Sequence, residues 1–496
     1  MAAYYAGDGV PFATFHQSPP FFSAWRAMVR DYAARQGSGA VPCDRSGFRV
    51  ARACMSPPVL PVSSAEALPA QVDVAIVGGG IIGITAALEL AQRGQSVAVL
   101  EKGVVAGEQS SRNWGWCRQQ NRDHRELPLA QLALRRWSEF AAELGEDTGF
   151  RRTGLVYASN DLADIARWES WAAKARLLGM ETRLLSGAEV AAMLPGNSRA
   201  WRGGVYSPTD GRAEPALAAP VLARAAQRLG VAILQNCAVR ALDIEGGRVR
   251  GVITERGRVR AEAVLLAGGA WSGLLLRHHG LRFLQASVKS TSFFTEAAPA
   301  VTEGGIAMQD ITFRRRMDGG YTVGLSGRGQ LQITPFGLAQ AAAFWPTFKA
   351  RRKGLTFALT RSFLEGPEAI LRWQPDQVSP FERMRVLDPA PDPHLVAMGL
   401  QRLAEAYPAL AGIRAATAWG GMVDSTPDAI PVISGVAVMP GLTIASGFSG
   451  HGFGIAPGAG RLAAELIRGD SPSVDPAPYR YERMIDGTRL SAPGMM

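Results

Sequence analysis

The sequence has little cysteine and no long apolar run. Its 496 residues contain four cysteines, Cys43, Cys54, Cys117 and Cys237, and no two of them have C-x-x-C spacing. The lack of such a pair excludes a zinc ribbon and a dithiol redox pair, and four cysteines are too few for a disulfide framework. No apolar run reaches the roughly 18 residues of a membrane-spanning helix, and the N-terminus has no secretory signal. We therefore expect a cytoplasmic protein in a reducing compartment.

Concentrated basic charge is also missing. Lys and Arg number 53 and Asp and Glu number 43, so the net charge is +10, but the basic residues are scattered along the chain. We find no zinc finger, RNP-type motif or basic-region helix, so we expect no nucleic-acid partner. Hydrophobic residues make up 47% of the chain, which excludes a disordered protein. At ~150 residues per domain the length allows about three domains.

The first 70 residues differ from the rest. Residues 1–70 hold eight prolines among mostly small and polar residues, which predicts a loosely ordered N-terminal extension. Met55 is an alternative start of the native protein, because residues 55–70 form a compact leader to the first predicted strand.

A nucleotide-binding unit follows the extension. The apolar run 72–77 predicts a buried parallel strand, residues 81–93 a helix, and residues 96–102 a second strand. Between the first strand and the helix stand Gly78, Gly80 and Gly83 in GxGxxG spacing, which permits a tight turn and close approach of backbone to a pyrophosphate. Glu101 ends the second strand, where an acid accepts hydrogen bonds from ribose hydroxyls.

Three further segments favour FAD over NAD as the dinucleotide. Residues 106–115 (AGEQSSRNWG) follow the ribose acid directly, and residues 264–272 (VLLAGGAWS) predict a strand that returns to the nucleotide. Residues 447–460 (GFSGHGFGIAPGAG) form another glycine-dense turn from strand to helix. The positive end of that helix, at roughly 455–468, is expected to face the flavin ring and to favour negative charge there.

With these motifs the chain resembles the D-amino-acid-oxidase-type family of FAD-dependent oxidoreductases, and within it the bacterial L-amino-acid deaminases. LEKGVVAGEQSSR and LAGGAWS are the most specific carriers, and the resemblance runs from about Val72 to Tyr481. It implies an α/β fold: a discontinuous Rossmann-like FAD-binding domain and an α+β substrate domain with a mixed, mostly antiparallel sheet. We assign residues 71–150, 210–280 and 415–480 to the first, and residues 151–209 and 281–414 to the second.

The resemblance also implies the cofactor contacts. FAD is expected to be noncovalent, because Gly421 stands where some members attach the flavin through a cysteine. The residues implied to contact the cofactor are Gly78, Gly80, Ile81, Ile82, Gly83, Glu101, Lys102, Gln109, Ser110, Ser111, Val239, Ala267, Gly268, Gly269, Trp271, Gly421, Gly447, Gly450, His451 and Gly452. Glu101 is assigned to the ribose, Lys102 to the adenosine side and Val239 to the adenine. For Ser110 and Ser111, helix capping is an alternative role.

For the substrate site, the resemblance places a carboxylate clamp at Arg314, with Arg316 as the next choice. The planar fork of arginine suits bidentate binding of a carboxylate. Trp116, beside Trp114, is expected to wall the pocket, with core packing as an equal alternative. His451 is expected to contact substrate or tune oxygen reactivity, with a structural role as its alternative. We predict no metal.

The implied reaction is oxidative deamination of a free α-amino acid, L favoured over D, to the 2-oxo acid and ammonia. The alternative is oxidation of an N-substituted amino acid or an opine. Electrons pass to O2 or to a membrane quinone. Segment 336–354 contains Phe344, Trp345 and Phe348 beside basic residues. The resemblance implies a peripheral contact with the inner membrane, because the related deaminases carry a membrane-docking insertion in this region. A lid over the substrate entrance, or a surface helix, is the alternative. The oligomeric state stays open.

Overall fold

The computed structural model describes residues 57–490. Residues 1–56 of the predicted extension, and with them Met55, lie outside the described residues. Residues 57–70 form no helix or strand. The Leu60 N–H donates to the Ala216 carbonyl (3.1 Å) and the Ala65 N–H to the Ile233 carbonyl (2.7 Å), so this segment lies along the nucleotide-binding part of the chain.

The described residues form two large sheets and a short two-stranded ribbon. In chain order the strands are β1 (Gln71–Val77), β2 (Val97–Leu100), β3 (Trp116–Cys117), β4 (Leu155–Ser159), β5 (Arg183–Ser186), β6 (Gly203–Ser207), β7 (Gly211–Arg212), β8 (Ala232–Leu234), β9 (Val239–Glu245), β10 (Arg248–Thr254), β11 (Gly257–Leu266), β12 (Ala286–Thr295), β13 (Gly305–Ala307), β14 (Thr312–Arg315), β15 (Tyr321–Gly324), β16 (Gly329–Gln332), β17 (Leu355–Ala358), β18 (Ala415–Ser425), β19 (Val432–Gly435) and β20 (Leu442–Ser446).

The α-helices between these strands vary from one turn to nearly five turns in length. In chain order they are α1 (Ile81–Ala91), α2 (Leu127–Leu144), α3 (Leu162–Leu177), α4 (Gly187–Met193), α5 (Pro215–Arg228), α6 (Ser272–His278), α7 (Pro335–Arg351), α8 (Pro380–Arg383), α9 (Pro393–Ala406) and α10 (Gly452–Arg468). None of the helices between residues 57 and 490 is both long and apolar enough to cross a membrane.

The first sheet has the strand order β19-β20-β11-β1-β2-β8, and β1, β2, β8, β11 and β20 run parallel. β1 lies at its centre, and its residues 74–77 are continuously apolar, as a strand covered on both faces requires. β9 and β10 extend β11 as an antiparallel meander. This is the Rossmann-like arrangement predicted from the βαβ unit at residues 72–102, with its pieces spread along the chain.

The second sheet is mixed and mostly antiparallel, as predicted, in the order β17-β16-β12-β15-β14-β13-β4-β6-β5. β18 pairs with β12 over its whole length, although residues 415–480 were assigned to the FAD-binding domain. The chain therefore returns to the first sheet only at β19. Sheet membership depends on the pairing partner, which the residues of β18 do not identify by themselves.

Helix α10 packs directly on α1, against one face of the first sheet. A Cβ on Gly460 would lie 2.4 Å from Thr85 Oγ1 and 2.7 Å from the Ala86 nitrogen, so only glycine permits this approach. The Thr85 hydroxyl also donates to the Ala456 carbonyl at 3.1 Å. The two helices that begin at glycine-rich turns are thereby fixed to each other, and the two turns keep a fixed separation.

Candidate functional site

The turn between β1 and α1 has the geometry of a pyrophosphate cradle. Gly78 has a φ of +109°, and a Cβ there would lie 2.5 Å from the Ala267 carbonyl oxygen. A Cβ on Gly83 would lie 2.1 Å from the Gly78 carbonyl oxygen. Gly80 provides no side-chain cap for α1, and the first turn of α1 holds no acid. The free amide groups and the partial positive charge at the N-terminus of α1 therefore suit a phosphate, and the turn fits the pyrophosphate of FAD.

Glu101 is held at the end of β2 by two backbone amides. Its carboxylate accepts from the Gly79 N–H and the Gly103 N–H, both at 2.7 Å, and burial raises its pKa. The Ser110 hydroxyl accepts from the Ile81 N–H at 2.9 Å, and Ile82 is the second residue of the same helix. Ser110 thus caps α1, the alternative role considered for it.

Two predicted cofactor residues make other contacts. The Lys102 ammonium donates to the Met384 and Arg385 carbonyls (3.0 and 2.9 Å) and to Glu108, and it lies 4.5 Å from the ring centre of Trp271. Trp271 is buried, and its indole N–H donates to Glu108 at 3.2 Å. The Lys102 side chain, which was assigned to the adenosine side, therefore links residues 384–385 to Glu108 and Trp271.

The other predicted cofactor residues lie on segments adjoining the first sheet or between the two sheets. Ser111 is buried and donates to the Glu108 carbonyl, and Val239 begins the meander. Gly421 lies in β18, opposite Ser290 of β12. Of the remaining glycines, Gly268 and Gly269 follow β11, Gly447 and Gly450 follow β20, and Gly452 is the first residue of α10.

Asp424 joins three of these segments and was not predicted from the sequence. Its buried carboxylate accepts from Gln109 Nε2 (2.6 Å), Gln285 Nε2 (2.9 Å) and the Gly447 N–H (3.1 Å). Gln285 Nε2 also donates to the Gly269 carbonyl. Burial raises the pKa of Asp424. A lone aspartate at the end of a strand gives no sequence signal for such a junction.

Arg314, the residue predicted as the carboxylate clamp, is bound by a carboxylate of the protein itself. Its Nη1 and Nη2 bind the two oxygens of Glu214 at 2.8 and 3.0 Å, and its Nε donates to the Trp114 carbonyl. The side chain is fully buried. The strand position of Arg314 does not reveal this partner, since Glu214 lies 100 residues earlier.

Arg316, the second choice for the clamp, also has a carboxylate partner. Its Nε donates to Asp318 at 2.9 Å, and its guanidinium lies 3.5 Å from the ring centre of Phe294. Asp318 is half exposed, so this pair lies at the protein surface.

Trp116 stands in an aromatic group with Trp114 and Tyr157. Its ring centre lies 5.7 Å from that of Trp114 and 6.1 Å from that of Tyr157, both edge-on. The Trp114 indole donates to the Ser292 hydroxyl of β12 at 2.8 Å, whereas the buried Trp116 indole nitrogen has no hydrogen-bond partner. Trp114 therefore links the segment 112–120 to the second sheet, and the indole N–H of Trp116 is a donor without an acceptor.

His451 follows the Gly447–Gly450 loop and lies beside two buried charged residues. Its Nδ1 is 3.4 Å from Glu126 Oε1, and its carbonyl accepts from Arg122 Nη2 at 3.0 Å. Burial lowers the pKa of His451 well below its usual value and raises the pKa of Glu126 to about 7. His451 is therefore neutral at neutral pH, while Glu126 is partly protonated.

The family described as DAO, FAD dependent oxidoreductase, matches residues 73–466. The L-amino acid deaminase of Proteus myxofaciens, solved in complex with anthranilate, is 30% identical with a TM-score of 0.82, over 86% of this chain and 97% of that one. The beta subunit of a sarcosine oxidase from Arthrobacter sp. is 26% identical over 85% of this chain and 93% of its own. A glycine oxidase of Pseudomonas aeruginosa is 28% identical over 82% and 97%.

Proposed function

Because the chain belongs to the DAO family of FAD-dependent oxidoreductases, we propose that it deaminates a free α-amino acid, L favoured over D, to the 2-oxo acid and ammonia. The observation that carries this proposal is the likeness to the L-amino acid deaminase over 86% of the chain. FAD, when bound, supplies the acceptor for a hydride from the substrate Cα.

The residues of this chain position the cofactor from two sides. Gly78, Gly80 and Gly83 with the start of α1 hold the pyrophosphate, and Glu101 accepts from the ribose. Helix α10 begins at Gly452, after the loop assigned to the flavin ring, and its first turn holds no acid. Its positive end favours negative charge at that edge of the site.

At the substrate end, Trp114 and Trp116 exclude water. Hydride loss from Cα requires a neutral amine, and His451 is the neutral base on the adjoining loop. Neither ring nitrogen has a hydrogen-bond partner in the structure, although Nδ1 lies 3.4 Å from Glu126 Oε1. We propose that the unprotonated ring nitrogen accepts a hydrogen bond from the substrate amine.

A second candidate is oxidation of an N-substituted amino acid. It is favoured by the similarity to the beta subunit of a sarcosine oxidase, whose name specifies an N-methyl substrate. The two candidates share the carboxylate and differ at nitrogen. Their products separate them, because a free amino acid releases ammonia and an N-substituted one releases an aldehyde or an amine.

Helix α7 and the residues after it form a second functional surface. Between Pro335 and Arg351 no side chain is fully buried, and Thr347 donates to the Pro427 carbonyl near the Gly447–His451 loop. Leu359 and Leu364 are 70% and 76% exposed beside exposed basic residues. We propose that this surface contacts an anionic membrane, and that a quinone in that membrane accepts the electrons from the enzyme. A lid over the site is the alternative, with O2 as acceptor.

The deciding experiment is anaerobic mixing of the FAD-loaded protein with panels of L- and D-amino acids, N-methyl amino acids and opines. We expect rapid loss of flavin absorbance with one or more L-amino acids and ammonia among the products. Readmitting air then separates an oxidase, whose absorbance recovers, from a quinone-linked enzyme. Absorbance loss only with N-substituted compounds would replace the first candidate by the second.

A further inference from the structure

Four segments that the sequence assigned to FAD meet at one buried carboxylate, that of Asp424. The segments are the turn after β2, the turn after β11, the end of β18 and the loop after β20. Gln109 donates to one carboxylate oxygen from the first turn, although it lies 315 residues from Asp424 in the chain. The Gly447 N–H donates to the other oxygen from the last loop. The main-chain carbonyl of Asp424 accepts from the Ser449 N–H at 2.8 Å, so the same residue holds this loop twice.

Gln285 brings the turn after β11 to the same carboxylate. Its Nε2 donates to Asp424 and to the Gly269 carbonyl, both at 2.9 Å, and its Oε1 accepts from the Gly273 N–H at 2.9 Å. The bond to Oε1 fixes which end of the amide faces Asp424. The Gly269 carbonyl also accepts from the Ser446 hydroxyl at 3.1 Å. The position of this turn therefore depends on Gln285, which was not among the predicted site residues.

The charge of Asp424 has no basic partner in the part of the chain that the structure describes. Its hydrogen-bond partners are amide N–H groups, and no lysine, arginine or histidine forms an ion pair with it. Asp428, four residues later, is in contrast paired with Arg483 at 3.3 Å. Because all three partners of Asp424 donate, the ionised carboxylate satisfies each of them, whereas a protonated oxygen would face a donor. An uncompensated negative charge is thus held among the segments assigned to FAD.

We propose that Asp424 is a positioning residue for FAD with two roles. Its hydrogen bonds hold the four segments together, and its unpaired charge lowers the reduction potential of the bound flavin. Protein charges tune the electronics of a flavin, and a negative charge opposes the negative charge that reduction adds. The positive end of α10, which begins at Gly452, acts in the opposite sense. This inference rests on the FAD cofactor of the family and does not depend on the identity of the substrate.

Two variants separate the two roles. Asp424→Asn removes the charge and keeps the shape of the side chain. Its carbonyl oxygen can still accept from Gly447 and Gln285, while the Gln109 amide can turn to accept from its nitrogen. Gln285→Met keeps the charge of Asp424 and removes the link to the turn after β11, with a side chain of similar length.

Asp73→Asn is the matched control for the loss of one negative charge. The Asp73 carboxylate is also held by donors without a basic partner, because it accepts from the N–H and the hydroxyl of Ser96 at 2.7 and 2.8 Å. It lies near the end of β1 opposite the glycine-rich turn. Urea denaturation establishes that each variant is folded. FAD titration of the apoprotein then gives the affinity, and equilibration of the FAD-loaded protein with reference dyes gives the reduction potential.

We expect Asp424→Asn to raise the reduction potential. The ratio of reduced to oxidised flavin at a fixed potential should increase about 10-fold, which corresponds to about 30 mV for two electrons. The FAD affinity of this variant should stay within about 3-fold of the native value. Gln285→Met should weaken FAD binding by about 10-fold or more, with a smaller change in potential. The control should change neither quantity.

Three results overturn the proposal. An unchanged or lower potential in folded Asp424→Asn removes the charge role. Equal shifts in potential in both variants remove it as well, because Gln285→Met retains the carboxylate. Native FAD affinity in folded Gln285→Met removes the assembly role. None of these measurements uses a substrate, so a flavin that no amino acid reduces would contradict the proposed function and leave the result for Asp424 unaffected.

Discussion

Arg314 and Glu214 form a buried ion pair that connects β14 to the start of α5. Removing Glu214 leaves Arg314 as an unpaired buried charge, which costs roughly 3–5 kcal/mol of unfolding free energy. Removing Arg314 costs less, because Arg212 Nη1 still lies 3.5 Å from Glu214 Oε1. We expect Glu214→Gln to lose about the full amount in urea denaturation, Arg314→Gln to lose less, and the double variant Arg314→Met/Glu214→Leu to lose less than the sum. A folded Arg314→Gln protein of unchanged stability and raised KM would instead identify a substrate clamp.

Glu126 makes stability depend on pH. Its folded pKa of about 7 lies above the ordinary value of 4.5, so the folded state loses stability as pH rises through this window. The loss is at most about 3 kcal/mol, because one pKa unit corresponds to about 1.4 kcal/mol. We expect Glu126→Gln to match the native protein in urea midpoint at pH 5 and to exceed it at pH 8. An equal difference between the two proteins at both pH values would contradict this.

At the scale of elements, the crossing of α1 and α10 determines where the second glycine-rich loop lies. A helical Gly→Ala change usually stabilises by up to about 1 kcal/mol. At Gly460 we expect the opposite, a loss of about 1–3 kcal/mol through overpacking against Thr85, together with weaker FAD binding. Gly435→Ala is the matched control, since a Cβ there meets nothing within 4 Å. Urea denaturation and FAD titration measure both effects.

Helix α7 and the apolar residues after it give an element-scale prediction. If this surface contacts a membrane, the full chain sediments with anionic vesicles at low salt, and Leu359→Asp with Leu364→Asp abolishes the sedimentation. Leu177→Asp, at an 87% exposed position on α3, should have no effect. Two results would favour the lid. One is sedimentation that persists in all of these variants, and the other is a chain that does not sediment but whose KM changes in the double variant.

For the whole molecule, we expect FAD to be held without a covalent bond. Acid precipitation should release the flavin into the supernatant, and readdition of FAD should raise the melting temperature of the apoprotein. The gain is about 2.7 kcal/mol at 100 times the Kd, by mass action. Flavin that stays with the precipitate would show an attachment that Gly421 cannot provide.

The sequence predicted the parts of the fold that depend on local order. β1, the GxGxxG turn and α1 were located to within two residues, because strand, turn and helix signals there act within a few positions. The mixed second sheet was correct in kind, but the place of β18 was not. The family was recognised from motifs that each lie in a single segment.

The side-chain partners of the site required the tertiary structure. Arg314 looked like a clamp because its residue type and strand position suit one, yet Glu214 binds it from 100 residues away. Asp424 joins residues 109, 285 and 447, and no local pattern marks it. Periodicity and turn chemistry determined the cofactor cradle, because its geometry is made by consecutive backbone. Long-range packing decided which charged side chains are paired and which stay available for a substrate. A buried charge finds its partner only when segments that are distant in the chain pack together.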